Sequence, residues 1–284
     1  VWLIISLVAL YFFVAIDYSI IYRYVPIFYW GSIALLIAVW IPKVGIVVNG
    51  ARGWIRLGPL SFQPAELAKI ATIMMLGKTL EEMNGTINEV KNFFTMAFYA
   101  VIPAIFIVIQ PDMGMTMVLF FMVVGIFFIA GLDIKILGGG LLSLVVAIVI
   151  VWNSGLIRDY QKTRITSFMN PESDSSESGY QLRQSLISIG NGGVLGLQGN
   201  AITKENSVGY AAQYVPEVQT DFIFASIAEQ WGFLGACFLL LLYGILISRM
   251  IAIARTAKDQ FGSIICVGLV AYFVFALLQN IGVT

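Results

Sequence analysis

Acidic and amide side chains around residue 221 form the group whose types and spacing could best do chemistry. The run Val215-Pro-Glu-Val-Gln-Thr-Asp-Phe-Ile-Phe224 places Asp221 four residues after Glu217 and directly before an apolar stretch that contains Glu229. Ionisable residues near or within an apolar span are costly, so each is a functional candidate. Two interpretations of Asp221 are open: a carboxylate that caps a helix start, or a functional residue at membrane depth.

A second group lies upstream, where Glu66 and Lys69 are three residues apart and share one helical face. They could form a local ion pair that neutralises both charges, or Lys69 could face an anionic headgroup or diphosphate. Arg52 and Arg56 flank Trp54, and such a cluster is typical either of a ligand site or of an anchor at the membrane interface.

A third group is Gln110-Pro-Asp-Met-Gly114, a tight break between two apolar runs. Asp112 is either a turn residue or part of a polar site. The glycine runs Gly138–Gly140 and Gly190–Gly193 lack the strand and the spacing of a nucleotide-binding loop. We therefore assign no nucleotide to them.

The composition explains why these few polar groups stand out. Of the 284 residues, 59% are apolar and only 11% are charged, and the mean hydropathy is +0.90. Soluble domains carry about 25% charged residues, so a soluble enzyme, a disordered tail and a nucleic-acid binder are excluded. The net charge is zero, which provides no field to attract polyanions. The sequence predicts a polytopic membrane protein.

Histidine and cysteine chemistry is excluded by counting. The sequence has no histidine, so His-ligated metal sites and a histidine base are ruled out. Cys237 and Cys266 lie within apolar runs without metal-type spacing. We predict no metal ligands and no disulfide.

Long apolar runs define the elements that must position these groups. A bilayer core of about 30 Å needs roughly 20 residues of helix per crossing, and the runs are too long for barrel strands and do not alternate with period two. We predict an all-α, polytopic helical membrane protein with about eight spans. The predicted spans lie near 1–16, 25–48, 62–77, 93–110, 113–131, 136–153, 222–247 and 261–281.

Basic residues orient these spans. Lysine and arginine concentrate in alternate short loops, which the positive-inside rule places in the cytoplasm. The predicted cytoplasmic residues are Arg23, Lys78, Lys91, Lys135, Arg249, Arg255 and Lys258, against Lys43, Arg52 and Arg56 outside. Segments 49–63, 110–114 and 154–221 are therefore expected on the external face.

The segment 154–221 is a large extracytoplasmic loop of about 68 residues, far longer than the other connections. Residues 159–164 are typical of an amphipathic interfacial stretch, and the polar run 170–179 is rich in turn residues. Residues 180–193 predict a short helix or re-entrant piece that ends in glycines. Loops of this length are usually functional or disordered.

These motifs together resemble the SEDS family, the shape, elongation, division and sporulation proteins typified by RodA, FtsW and SpoVE. The resemblance follows family order across most of the chain, with a long external loop where the family has one. It rests on Asn49-Gly-Ala-Arg-Gly-Trp-Ile55, Ser61-Phe-Gln-Pro-Ala-Glu-Leu-Ala-Lys69, Gln110-Pro-Asp-Met-Gly114, Gly179-Tyr-Gln-Leu-Arg-Gln-Ser185 and Pro216-Glu-Val-Gln-Thr-Asp-Phe-Ile-Phe224.

The resemblance implies one integral-membrane domain over 1–284. Family members have ten spans, so we expect the first and the last of them to lie outside this sequence. The chain departs from the family pattern at Gly53, Gln219 and Leu197, where the family usually has a basic residue, a histidine and a lysine. Contacts made by those three family residues are not carried over.

The activity implied by the resemblance is that of a peptidoglycan glycosyltransferase, which polymerises lipid II at the outer face of the inner (cytoplasmic) membrane. Asp221 corresponds to the family's essential aspartate. The polyprenyl diphosphate is a good leaving group, so the main demand is a general base for the acceptor 4-hydroxyl, and an α-linked donor giving a β-1,4 product implies inversion. The implied substrate-binding residues are Glu217, Arg52, Glu66, Lys69, Gln110, Asp112, Gln181, Gln184 and Ser185.

No cofactor is assigned. Lys69, Arg52 or a divalent cation, Mg²⁺ or Mn²⁺, could meet the charge that develops on the diphosphate. The implied partners are lipid II, the polyprenyl-diphosphate-linked glycan, membrane lipid and a class B penicillin-binding protein, a transpeptidase. The sequence leaves open whether this member serves elongation, division or sporulation.

Two other functions remain open. A flippase for lipid-linked oligosaccharide would use Glu66, Lys69, Asp112 and Glu229 as a headgroup path that reaches both membrane faces. A non-catalytic scaffold would recruit a penicillin-binding protein through its spans and tolerate substitution of Asp221. The polar candidates cluster on the external side, which favours the enzyme.

Overall fold

The structure of this chain is a computed structural model that describes residues 2–42, 44–48, 51–57, 60–153, 177–199, 209–216 and 218–283. Two compact units form: the first comprises Val1–Leu137 and Met250–Tyr272, and the second comprises Gly138–Arg249 and Phe273–Thr284. Glu217, the stretch 159–164 and most of the polar run 170–179 lie outside the described residues.

Helices dominate the described residues, as expected for a polytopic helical membrane protein. They are α1 (Trp2–Ala15), α2 (Tyr18–Ala38), α3 (Pro64–Glu82), α4 (Val90–Ile109), α5 (Met113–Ile129), α6 (Ile134–Asn153), α7 (Glu177–Gly192), α8 (Gly196–Gly199), α9 (Tyr210–Tyr214), α10 (Ile223–Thr256) and α11 (Gln260–Val283). By length and apolar composition, α2, α4, α10 and α11 are long enough to cross a membrane, and the described parts of α1, α5 and α6 are shorter apolar helices.

The predicted span 25–48 is wrong at both ends. The helix begins at Tyr18, because the Asp17 carboxylate accepts a hydrogen bond from the Ser19 amide at 2.8 Å, and it ends at Ala38. Residues Gly45–Val48 form strand β1 instead. An apolar run alone does not distinguish a strand from a helix, and here β-branched residues after Pro42 favour the strand.

Three short antiparallel strands lie between α2 and α3, where the sequence predicted the end of a span and an external loop. Strand β1 pairs with β2 (Ala51–Leu57), which pairs with β3 (Leu60–Phe62). The register places Ile46 opposite Trp54 and Ile55 opposite Phe62. Helix α3 starts directly afterwards with Pro64 at its first position, where the missing amide hydrogen costs nothing. The sheet and this helix start position Arg52 and Glu66.

Helix α3 is the centre of the first unit and packs against α2, α4 and α5. Its buried residues lie on most of its circumference, including Ala71, Thr72, Ile73 and Met75. Because Lys69 is also buried there, its charge needs a partner inside the unit. The remaining predicted spans of this unit match α1, α4 and α5 within a few residues.

The second unit contains a smaller core and a broken helix. Ala211, Val215, Phe222 and Ala225 form one buried cluster. Helix α10 begins where predicted, but Gly232 interrupts it with a φ of 68°. The Phe233 amide, which would have no partner at such a break, donates to the Gly193 carbonyl at 2.9 Å, so the loop after α7 completes the helix. The predicted short helix over 180–193 is confirmed as α7.

Candidate active site

Gln63 and Asp112 join the starts of two helices in the first unit. Gln63 precedes α3, and its Nε2 donates to Asp112 Oδ2 at 2.7 Å. Asp112 also caps α5, because its Oδ1 accepts a hydrogen bond from the Met115 amide at 3.1 Å. Asp112 is thus a helix cap that also bonds a second side chain. Gln63 was not singled out from the sequence, because an amide before a proline carries no signal of its distant partner.

Glu66 and Lys69 form the ion pair that their spacing allows. The Lys69 ammonium lies 3.0 Å from the Glu66 carboxylate; the Lys69 side chain is 2% exposed and that of Glu66 is 45% exposed. Lys69 Nζ also lies 3.1 Å from Met115 Sδ and 4.6 Å from the centre of the Tyr272 ring. Buried charges require such pairing. A ligand at this site would meet the Glu66 carboxylate first, with Lys69 behind it.

Gln110 connects two helices from within the core of the first unit. It is 1% exposed, and its Nε2 donates to the carbonyl of Leu36 at 3.1 Å. Its Oε1 faces β2, where a Cβ added at Gly53 would lie 3.3 Å away. A side chain at position 53 would therefore lie against the Gln110 amide, which would have to move by a few tenths of an ångström to admit it.

Arg52 is the one candidate cation with an unpaired buried donor among the described residues. Its Nε is buried and has no hydrogen-bond partner there, although the residue as a whole is partly exposed. An unpaired buried donor is costly. A guanidinium also matches phosphate and carboxylate groups in geometry, so Arg52 is suited to an anionic ligand.

Helix α7 carries the three polar residues of the fourth motif in the second unit. The hydroxyl of Tyr210 donates to Gln184 Oε1, which ties α7 to α9. Ser185 is fully buried and its hydroxyl donates to the Leu182 carbonyl at 2.7 Å. Gln181 is partly exposed. Gln184 and Ser185 thus have internal partners, whereas Tyr180 and Arg183 of the same motif are exposed.

Glu229 anchors the segment that precedes Asp221. It is 1% exposed, and its carboxylate oxygens accept hydrogen bonds from the amides of Tyr210 at 2.6 Å and Ala211 at 2.8 Å. A Cβ at Gly209 would lie 3.0 Å from one of these oxygens, so the backbone at Gly209 comes close to the Glu229 carboxylate. The sequence marked Glu229 as an ionisable residue within a span but could not predict this partner.

Asp221 lies in the turn before α10 with its side chain exposed. Neighbouring Phe222 is buried in the core of the second unit. Asn280 Nδ2 donates to the carbonyls of Thr220 at 3.1 Å and Asp221 at 3.2 Å. Within the described ranges no donor bonds the Asp221 carboxylate, so the structure gives it no capping bond. An exposed carboxylate without a partner is available to accept a proton.

The described part of the chain brings together no group of three or more His, Cys, Asp and Glu side chains that could hold a metal ion. Magnesium is usually held by carboxylates together with substrate phosphates.

The polar residues therefore form two groups, each within one unit. The first unit offers a partly exposed carboxylate with a buried ammonium behind it, and an arginine with an unpaired donor. The second unit offers an exposed carboxylate on a turn that is hydrogen-bonded through its backbone. Such groups are suited to binding a diphosphate and to removing a proton from a hydroxyl.

Comparison with known proteins supplies the family. The family model for FtsW, RodA and SpoVE, described as cell cycle protein, matches residues 1–284. Stage V sporulation protein E of Bacillus subtilis is 36% identical over 284 residues, covering 98% of this chain and 74% of that protein. The probable peptidoglycan glycosyltransferase FtsW of Aliivibrio salmonicida is 37% identical over 259 residues, covering 88% of this chain but 61% of that protein.

A solved structure has the same fold. It concerns the structural coordination of polymerization and crosslinking by a peptidoglycan synthase complex, and one of its chains superimposes with a TM-score of 0.82 at 29% identity. The match covers 99% of this chain and 76% of that chain. The helical membrane architecture predicted from the sequence is thus confirmed.

Proposed function

This chain belongs to the SEDS family of FtsW, RodA and SpoVE cell cycle proteins, and on that premise we propose that it is a peptidoglycan glycosyltransferase. Its substrate is lipid II, which it polymerises into glycan strands. The name of the Aliivibrio relative supports this activity. The observation that carries the proposal is the exposed Asp221 carboxylate, which has no hydrogen-bond partner among the described residues.

Asp221 acts as the general base of an inverting transfer. A bond forms between the acceptor 4-oxygen and the anomeric carbon of the donor, and the bond from that carbon to the polyprenyl diphosphate breaks. The diphosphate leaves with the electron pair, and the hydroxyl proton passes to the Asp221 carboxylate. Because the leaving group needs no protonation, one carboxylate is enough, and no covalent glycosyl-enzyme forms.

Arg52 stabilises the charge that accumulates on the leaving diphosphate. Its unpaired buried Nε supports this role, since charge-assisted hydrogen bonds to phosphate are strong. Lys69 contributes its charge from behind Glu66, to which it is bound at 3.0 Å. Glu66, Gln110, Asp112, Gln181, Gln184, Ser185 and Glu217 remain proposed substrate-binding residues.

The setting of the enzyme is part of the proposal. Residues 1–284 form one SEDS-type domain in the inner (cytoplasmic) membrane, with segment 154–221 on its outer face, as the distribution of basic residues favours. The partner is a class B penicillin-binding protein, a transpeptidase that crosslinks the nascent strand. The solved synthase complex with a matching chain supports such a partner.

Reconstitution into liposomes tests the activity. The full-length protein is supplied with lipid II, alone and together with the transpeptidase, and products are separated by gel electrophoresis. We expect glycan strands, with none from the transpeptidase alone. Movement of a fluorescent lipid II analogue between leaflets without strands would indicate the flippase instead. Absence of both, with folded protein and partner present, would indicate the scaffold.

A further inference from the structure

The end of helix α11 holds the turn that carries Asp221. Asn280 lies in the part of α11 that belongs to the second unit. Thr220 and Asp221 belong to the same unit. Its Nδ2 donates to the Thr220 carbonyl at 3.1 Å and to the Asp221 carbonyl at 3.2 Å. An amide nitrogen has two hydrogens, so one side chain serves two consecutive carbonyl groups that are 59 and 60 residues away in sequence.

These two bonds hold the backbone of the turn to α11. The Asp221 side chain is exposed, and none of the described donors bonds its carboxylate. The backbone of the turn therefore sets where the Asp221 Cβ lies, and with it the region that the carboxylate can reach. Phe222, which directly follows Asp221, is buried in one cluster with Ala225 and also holds the turn in place. Asn280 supplies the side-chain hydrogen bonds to the backbone of the turn.

Only a donor can occupy the position of Nδ2, because it faces two carbonyl oxygens. Replacing the amide by a carboxylate of the same shape would bring a negative charge against both oxygens and displace the turn. A misplacement of about 1 Å at a reacting group can cost on the order of 100-fold in rate. Binding of lipid II elsewhere on the protein would be unaffected.

We propose that Asn280 is a positioning residue for the transfer reaction, which orients the Asp221 carboxylate through the carbonyls of Thr220 and Asp221. This inference rests on the proposed glycosyltransferase function. It predicts a loss of turnover without a loss of substrate affinity. A residue that contacted lipid II directly would raise KM, and a residue that only stabilised the fold would lower the amount of folded protein.

Steady-state polymerisation by the full-length protein tests the proposal. For Asn280→Asp and Asn280→Ala we expect kcat to fall by about 10- to 100-fold, while the KM for lipid II stays close to that of the wild type. Asn280→Gln keeps the amide donor and is expected to recover part of kcat. Gln279→Glu is the matched control, since it makes the same amide-to-carboxylate change on the exposed neighbouring side chain and should keep the wild-type rate.

Thermal unfolding identifies any variant that fails to fold. If Asn280→Asp does not fold, the kcat and KM of Asn280→Ala decide whether the proposal holds. The proposal is overturned if folded Asn280→Ala keeps the wild-type kcat, or if its KM rises while kcat holds. Failure of the proposed function is a different result, because the wild type would then make no strands at all.

Discussion

The carboxylate of Glu229 on α10 accepts a hydrogen bond from the backbone amide of Tyr210 at 2.6 Å, across 19 residues of sequence. The neighbouring Ala211 amide donates to the same carboxylate at 2.8 Å. A helix start has amides without partners, and the first turn of α9 finds its acceptor on another helix. The chain just before Asp221 is therefore held by a buried charge whose desolvation is offset by two charge-assisted bonds.

Glu229→Gln should loosen this segment. The amide offers one acceptor in place of two and brings hydrogens towards the Tyr210 or Ala211 amide. The local stability of α9 is expected to fall by about 1–3 kcal/mol. Hydrogen exchange at the Tyr210 and Ala211 amides measures this local stability. Glu89→Gln, a substitution at an exposed glutamate, is the control. Unchanged protection of both amides would contradict the anchoring role.

The Glu66–Lys69 pair predicts an asymmetry between its two members. Glu66→Gln leaves the buried Lys69 ammonium without its carboxylate, which should cost about 3 kcal/mol in the free energy of unfolding. Lys69→Met leaves a carboxylate that is 45% exposed, and its cost should stay within about 1 kcal/mol. The double variant should resemble Lys69→Met, because it contains no unpaired buried charge.

Denaturation of these variants in mild detergent provides the comparison. Lys91→Met removes an exposed lysine and serves as the control, for which no change is expected. Equal destabilisation by Glu66→Gln and Lys69→Met would show that burial of Lys69 does not govern the pair.

The sequence predicts the helices well because long apolar runs determine them, and it predicts the Glu66–Lys69 pair because both residues lie on one helix. It fails at Gly45–Val48, where an apolar run continues from helix into strand. Neither bond of Glu229 to α9 nor that of Asn280 to Asp221 follows from any local period, since 18 to 59 residues separate the partners. Such contacts depend on tertiary packing, which the order of residues along one helix does not reveal.

Gly232→Ala should lower the free energy of unfolding, because Gly232 forms the break in α10. An alanine at a φ of 68° is strained, and its Cβ would collide with the backbone nitrogen of Gly196. We expect a loss of at least about 2 kcal/mol. Gly244→Ala is the matched control in the same helix, where nothing lies within 4 Å of an added Cβ, and it should stabilise by about 0.5–1 kcal/mol. Equal shifts of the denaturation midpoint in Gly232→Ala and Gly244→Ala would contradict this explanation.

Arg52→Gln should weaken substrate binding if Arg52 meets the diphosphate. A charge-assisted hydrogen bond contributes about 1.5–3 kcal/mol, so kcat/KM for lipid II is expected to fall by at least tenfold. Arg56→Gln, an exposed arginine on the same strand, should change kcat/KM much less. The role assigned to Arg52 is wrong if Arg52→Gln and Arg56→Gln lower kcat/KM by the same small factor.

Polymerisation of lipid II by Asp221→Asn, compared with the wild type in the same liposomes, tests the central claim most directly. The amide has nearly the shape of the carboxylate but cannot accept the hydroxyl proton. The exposed Asp133→Asn provides the control and should make strands normally. We expect strands from the wild type and none from Asp221→Asn at equal amounts of folded protein. Strands from Asp221→Asn at the wild-type rate would contradict the assignment of Asp221 as the base.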